Sequence, residues 1–213
     1  MHNIREGFFI FTNYFLKVSL FREIFTTFLR YSEGIFSLKS RKFRLKYVQT
    51  TNTNGIMRRK EGIKMEKVMD VANWFLSQDA MTHKKLQKLC YYAQAWHCAL
   101  HNGKPLFSEP IEAWVHGPVI RDLYGCFAGY GWDEIPQRSG TTNFSDKALE
   151  VLEAVYSTYG DFNGDQLEYM THQETPWLLA RGDLKPWEPC TEQITVQSMQ
   201  EYYARRYAES QND

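Results

Sequence analysis

Histidine side chains at helical spacing are the first residues of this chain that could carry chemistry. His97 and His101 lie four residues apart, which places two imidazoles on one face of a helix at the spacing of metal ligands. The sequence between them supplies no Glu as a base, and no third ligand follows at a motif spacing. The pattern therefore favours a packed His97 and an exposed His101 near a helix end. We predict no metal site and no cofactor.

Cysteine could act as a nucleophile, with His116 or His172 as the base. The chain has four Cys. Cys90 and Cys98 fall within a predicted helix, where Cys behaves as a small hydrophobic residue. Since there is no C-x-x-C pair and no convincing signal peptide, we expect reduced thiols and a cytoplasmic protein. The sequence thus favours a protein that is not an enzyme. A Cys/His-dependent hydrolase that uses Cys98, His97 and His116 is the alternative.

Apolar periodicity predicts the elements that position these residues. From Met65 onward the pattern is mainly α, with one or two short β-strands, and indicates a compact single helical domain. Helices are expected to begin near Lys67, after Thr82, at Pro118, after Ser145, near Asp165, after Thr175 and after Thr195. Alternation from 111 to 116 predicts a short strand, and Gly117 allows a sharp turn before the helix at Pro118.

The corner formed by residues 114–118 is the candidate partner-binding site. One interpretation places Trp114 in the core of a strand-to-helix corner. The other places Trp114, His116 and Arg121 on an exposed rim, since Trp and Arg are typical hot-spot residues of interfaces. The residues predicted for this partner-binding surface are Lys88, Tyr91, Tyr92, Trp114, His116, Gly117, Pro118, Arg121 and Tyr124.

Charge and composition divide the chain at Met65. Residues 1–64 carry 13 Lys and Arg against 4 Glu, which gives +9, whereas the remainder holds 12 basic and 21 acidic residues, which gives −9. Residues 1–64 also contain no Ala, Pro, Asp, Cys or Trp, although Ala and Pro are common in folded domains. We therefore expect 1–64 to be a non-native translated leader or a disordered basic extension, and 65–213 to be the domain.

The residues just before Met65 favour the leader. The stretch 59–65 can be back-translated into a purine-rich run followed by a start codon, which is the arrangement of a bacterial ribosome-binding site. We expect native translation to begin at Met65. The alternative is a genuine basic arm, with an amphipathic membrane-surface helix at 18–31 or a basic run at 39–46 that contacts nucleic acid.

The acidic part of the chain favours a protein partner. A net charge of −9 in residues 65–213 repels a phosphate backbone, and no basic stripe offsets it. The same charge suits a basic protein, because complementary fields speed and select association. We therefore disfavour nucleic acid as a partner and expect no membrane contact.

Several motifs together resemble a known family. They are Leu86-Gln87-Lys88-Leu89, Tyr91-Tyr92-Ala93-Gln94-Ala95-Trp96, Pro105-Leu106-Phe107, Ile111-Glu112-Ala113-Trp114, Gly117-Pro118-Val119, Leu123-Tyr124 and Glu174-Thr175-Pro176-Trp177. This combination resembles the SocA-like antitoxin domain, also called the Panacea domain, which is found among phage-associated, GepA-like proteins. The likeness covers most of residues 67–190 and leaves out 1–64.

The resemblance implies an antitoxin of a type II toxin–antitoxin system, encoded beside its toxin in bacterial or prophage DNA. Such a protein would neutralise the cognate toxin by direct protein–protein binding. A proteolytic adaptor that delivers a toxin, or a phage or host protein, to a ClpXP-type protease is the implied alternative. The resemblance supplies no catalytic residues. Residues 1–64 show no helix-turn-helix pattern, which counts against a DNA-binding phage regulator.

Overall fold

The computed structural model describes residues 65–139 and 143–212. The predictions made for residues 1–64 lie outside the described residues. These predictions are the translated leader or basic extension, the amphipathic helix at 18–31 and the basic run at 39–46.

Seven α-helices and four short strands make up the described part of the chain. The helices are α1 (Val68–Gln78), α2 (His83–Leu100), α3 (Arg121–Phe127), α4 (Asp146–Tyr159), α5 (Gly164–Thr171), α6 (Thr175–Arg181) and α7 (Val196–Asn212). The strands are β1 (Met81–Thr82), β2 (Ile111–Trp114), β3 (Gly117–Ile120) and β4 (Glu134–Ile135). They form two antiparallel two-stranded sheets, β1 with β4 and β2 with β3. The predicted mainly α fold with short strands is therefore confirmed.

Side-chain caps begin several of these helices where the sequence predicts them. The Thr82 hydroxyl accepts the Lys85 N–H at 3.3 Å at the start of α2, and Ser145 caps α4 in the same way. Asn163 and Gln166 form a reciprocal capping box at the start of α5. Each cap satisfies a backbone N–H that has no partner inside its own helix. The caps thus fix where the helices start.

Helix α2 lies at the centre of the fold. Every residue from 86 to 98 is buried. The helix packs against α1, α4, α5, α7 and strand β3, so no face of it is left to solvent over this stretch. Because polar groups cost free energy when they are buried without a partner, the polar residues of α2 must be paired inside the protein.

The predicted helix start at Pro118 is wrong. Trp114 pairs with Gly117 and Ala113 pairs with Pro118, so residues 111–120 form a β-hairpin with a two-residue turn at 115–116. Strand β3 runs to Ile120, and α3 begins only at the next residue. Pro118 is tolerated because β3 is an edge strand, where a missing N–H does not interrupt a ladder on both sides. The predicted strand at 111–116 is correspondingly shorter and ends at Trp114.

Gly117 occupies the tightest position of the hairpin. Its φ of +90° lies in a region that glycine adopts readily and other residues do not. A Cβ at this position would lie 2.7 Å from Lys88 Cε and 2.8 Å from Thr171 Oγ1. The hairpin therefore packs against α2 and α5 only because residue 117 has no side chain.

The other edge of β2 is also occupied. The Ala113 N–H donates to the Glu192 carbonyl at 2.9 Å, and the Ile194 N–H donates to the Ile111 carbonyl at 2.8 Å. Residues just before α7 thus extend the hairpin by a short antiparallel contact. None of the helices in the described ranges combines the length and the apolar content that crossing a bilayer requires.

Candidate partner-binding site

Glu112 organises an exposed group of side chains on the hairpin and on α3. Its Oε1 accepts Arg121 Nε–H at 3.0 Å, and its Oε2 accepts Arg121 Nη2–H at 2.6 Å and the Trp114 indole N–H at 2.7 Å. These hydrogen bonds, that from Arg121 above all, lower the pKa of Glu112. The carboxylate is therefore a fixed anion that holds both Arg121 and Trp114 in place.

The side chains that Glu112 holds form an aromatic and cationic surface. The Arg121 guanidinium lies 5.7 Å from the Trp114 ring centroid, and the Tyr124 ring lies 4.9 Å from that of Trp114. The Arg121 side chain is 58 % exposed, and Trp114 is half-buried. We call Trp114, His116, Arg121 and Tyr124 the rim. His116, Arg121 and Tyr124 are exposed, whereas Trp114 lies between its two interpretations, partly in the core and partly at the surface. That the rim binds a partner stays a prediction.

His116 connects the rim to helix α5. Its side chain is 71 % exposed, and Nδ1 lies 3.1 Å from Glu168 Oε1. Lys84 forms ion pairs with both Glu168 and Asp165. Burial opposes ionisation of Glu168, but the hydrogen bonds from Lys84 and His116 lower its pKa overall. The turn of the hairpin is thus held to α5 by a charged network.

Lys88, Tyr91 and Tyr92 do not extend the rim, contrary to expectation. Their exposed fractions are 1 %, 0 % and 0 %, because α2 is enclosed on all sides. Gly117 and Pro118 are buried as well. Lys88 Nζ donates to the Pro118 carbonyl at 3.1 Å, and burial lowers the pKa of Lys88 to about 7. These predicted contact residues therefore support the hairpin from inside.

The two tyrosines of α2 bind a buried carboxyl group instead. The hydroxyls of Tyr91, Tyr92 and Tyr203 donate to Glu174 at 3.3, 3.1 and 2.6 Å. Burial raises the pKa of Glu174 to about 7, since the hydroxyls offset only part of the desolvation. Sequence analysis missed this cluster, because no local pattern pairs Glu174 with residues more than 80 positions earlier.

Two glutamines of α2 bind backbone segments in the way a strand edge would. Gln87 Nε2 donates to the Ile120 carbonyl at 3.1 Å, and the Ile120 N–H donates back to Gln87 Oε1 at 2.8 Å. Gln94 Oε1 accepts the N–H groups of Leu106 and Phe107 at 2.7 and 3.1 Å, and its Nε2 donates to the Phe107 carbonyl at 2.9 Å. The motif Gln-x₆-Gln therefore fixes the end of β3 and the segment before β2.

The histidine pair is a packed structural element. His97 Nδ1 lies 2.8 Å from the Lys104 carbonyl, and the rings of His97 and His101 are 4.5 Å apart. Burial lowers the pKa of both, that of His101 to about 4. His101, expected to be exposed, is half-buried. Within the described ranges, no group of three or more His, Cys, Asp or Glu is placed to hold a metal ion.

The cysteines of α2 are poor nucleophiles. Cys90 and Cys98 are fully buried. Burial raises the pKa of Cys98 to about 12 and raises that of Cys90 further. Because the thiolate is the reactive species, a thiol of this kind stays protonated and inert near neutral pH. The geometry gives no support to a hydrolase built on Cys98.

Fold and site together define a small, mainly α domain with a preformed aromatic and charged surface. Residues 86–178 match the family described as "Antitoxin SocA-like, Panacea domain". This match, which covers part of the chain, confirms the resemblance stated from the sequence motifs. The matched residues contain the rim, both glutamines and Glu174. The family implies an antitoxin-like role with a protein partner. Comparisons with curated proteins and with solved structures found no match.

Proposed function

We propose that this protein is the antitoxin of a type II toxin–antitoxin system and neutralises its toxin by direct binding. The toxin would be encoded beside it in bacterial or prophage DNA. The observation that carries the proposal is the rim, a preformed surface that lies within the residues matched to an antitoxin family. We further propose that residues 65–213 suffice for this function.

The physical argument for the rim is preorganisation. Glu112 already holds the Trp114 indole and the Arg121 guanidinium, so a partner would not have to order them on binding. Both residue types are enriched among the side chains that dominate binding energy. The net charge of −9 in residues 65–213 would speed association with a basic toxin.

A growth assay tests the proposal. The open reading frame adjacent to this gene would be expressed alone, with the full chain, and with residues 65–213. We expect growth arrest by the neighbour alone and rescue by either form of this protein. A neighbour that is harmless, or toxic but never rescued, would contradict the proposal.

Substitutions locate the binding surface in the same assay. His116→Ala combined with Arg121→Ala removes two exposed rim side chains while leaving the core intact, so we expect rescue to be lost. Arg205→Ala is the matched control, because Arg205 is an exposed Arg that belongs to α7 and not to the rim. Circular dichroism of the purified variants would confirm that all of them are folded. Equal rescue by the rim variant and the control would exclude the rim as the binding surface.

A further inference from the structure

Four large apolar side chains lie exposed within ten residues at the end of α6 and in the loop that follows. The exposed fractions are 48 % for Leu178, 66 % for Leu179, 42 % for Leu184 and 69 % for Trp187. We call these four residues the apolar patch. Single exposed apolar residues are ordinary on a protein surface, whereas a concentration of them is typical of an interaction site.

The loop that carries half of the apolar patch is fixed by one buried cation. Arg181 is 4 % exposed. Its Nη2 donates to the carbonyls of Lys185, Pro186 and Glu188 at 2.9, 3.4 and 2.6 Å, and its Nη1 donates to the Ala113 carbonyl at 3.0 Å. A buried guanidinium is costly unless it is hydrogen-bonded, so these four acceptors hold the loop closed around it.

Further contacts stiffen the same loop. The Lys185 N–H donates to Glu188 Oε2 at 2.7 Å, and the Glu188 N–H donates to the Lys185 carbonyl at 3.0 Å. Lys185 Nζ lies 5.7 Å from the Trp187 ring centroid. Trp187 therefore extends from an ordered loop. Little conformational entropy of this loop would be lost when a partner binds.

Charge around the apolar patch indicates the chemistry of that partner. Asp183, Lys185 and Glu192 are the exposed charged residues between 178 and 192. The whole of 65–213 carries −9. By contrast, the rim presents Arg121 and a histidine. A basic surface with an apolar side chain therefore complements the apolar patch better than an acidic one does.

We propose that the apolar patch is a second docking surface, which takes a basic segment of the toxin with an aliphatic or aromatic side chain seated against Trp187. The inference rests on the proposed function and deepens it by assigning a second point of contact. Leu178 is the last residue of the family match, and the other three lie beyond it. Membership of the family therefore does not assign this surface.

The first arm of the test measures binding of the full chain to the purified product of the adjacent open reading frame by calorimetry. We expect Leu179→Ser combined with Trp187→Ser to weaken binding at least tenfold. Trp132→Ser is the matched control, because Trp132 is 80 % exposed and lies elsewhere on the surface. Equal affinities of the double variant and the control would overturn the proposal.

The second arm does not depend on the toxin. The full chain is titrated with a synthetic leucine–lysine peptide and with a leucine–glutamate peptide of the same pattern. The NMR signal of the Trp187 indole N–H, assigned with Trp187→Phe, reports on the apolar patch. We expect the lysine peptide to shift this signal. The glutamate peptide should shift it little, and neither peptide should shift the Trp132 signal much. No shift, or equal shifts with both peptides, would overturn the apolar patch as a basic-segment site.

The two arms separate the possible failures. If the neighbouring protein does not bind the wild-type chain but the lysine peptide shifts Trp187, the toxin assignment fails while the surface chemistry stands. If the chain alone is a dimer that Leu179→Ser with Trp187→Ser converts to a monomer, the occupant is a second copy and the proposal is overturned. Light scattering of both proteins decides this last point.

Discussion

The polar side chains of α2 and those of the rim are fixed in equally specific ways, but only the rim leaves them open to solvent. Gln87, Lys88 and Gln94 each bond to backbone groups of the same chain and are buried. Arg121 is bonded just as closely to Glu112, yet more than half of its side chain is exposed. A motif made of polar and aromatic residues can therefore either support the fold from inside or remain at the surface, and burial distinguishes the two cases.

This contrast assigns different roles to the two parts of the family signature. The residues of α2 hold loops, the hairpin and Glu174 in place, so their replacement should damage the fold before it damages binding. The rim residues contribute little to the core, so their replacement should damage binding alone.

The largest effect is expected from Gln94→Ala. This change leaves the N–H groups of Leu106 and Phe107 and the Phe107 carbonyl without their partner in a buried site. At about 1–3 kcal/mol for each unsatisfied group, the free energy of unfolding should fall by about 4 kcal/mol. Urea denaturation measures it.

Gln137→Ala is the matched control for that experiment. Gln137 also donates to backbone carbonyls, those of Ser77 and Gln78, but it is exposed, so water can replace it. We expect a change below about 0.5 kcal/mol. Similar losses in both variants would show that the burial of Gln94 is not what matters.

A smaller, pH-dependent effect on the free energy of unfolding is expected from Glu174. Its pKa is raised from 4.5 to about 7 in the folded protein, so the folded state keeps a proton that the unfolded state has lost between these values. Its stabilising contribution is full below about pH 4.5 and is lost as the pH rises to about 7. The loss amounts to about 3 kcal/mol at most.

Glu174→Gln, which stays neutral throughout, should remove this slope. Unfolding free energies of the wild type and the variant would be compared at intervals from pH 4.5 to 7. Lys88 does not interfere with this comparison. Its pKa is lowered from 10.5 to about 7, so its effect on the free energy of unfolding changes with pH only above about pH 7. Parallel pH profiles of the two proteins would contradict a raised pKa for Glu174.

The smallest effect on stability, with a clear effect on binding, is expected from Glu112→Gln. The amide keeps the shape but loses the charge that holds Arg121, so the rim becomes disordered while the core is unaffected. We expect a change in unfolding free energy of about 1 kcal/mol or less, with about tenfold weaker binding to the proposed toxin. Calorimetric titration measures the affinity, and a large loss of stability without a loss of affinity would reverse the assigned roles.

Sequence analysis located most of the helices because their signals are local. Thr82 and Ser145 cap the helices that they were expected to cap. The hairpin was missed because its turn at 115–116 lacks the Asn-Gly or Asp-Gly pair that marks two-residue turns. Gly117 followed by Pro118 instead imitates a helix start.

The burial of Lys88, Tyr91 and Tyr92 was not predictable for a different reason. Periodicity along α2 distinguishes an apolar face from a polar one, but it does not show that α5, α7 and the hairpin cover the polar face as well. The partner of both tyrosines is Glu174, and a third hydroxyl comes from α7. Such long-range pairings leave no periodic trace in the sequence. The four rim residues, by contrast, were named from the sequence, and their role in binding stays a prediction.

The contribution of Tyr203 has a consequence for biosynthesis. Tyr203 makes the shortest of the three bonds to Glu174, yet it lies 29 positions after Glu174 in the chain. During synthesis, α2 leaves the ribosome long before α7, the helix whose Tyr203 completes the hydrogen bonding of Glu174. A nascent chain therefore carries an open interior until α7 has been synthesised. Premature termination before Tyr203 would leave that interior exposed to quality-control proteases, so the supply of folded protein depends on the synthesis of α7.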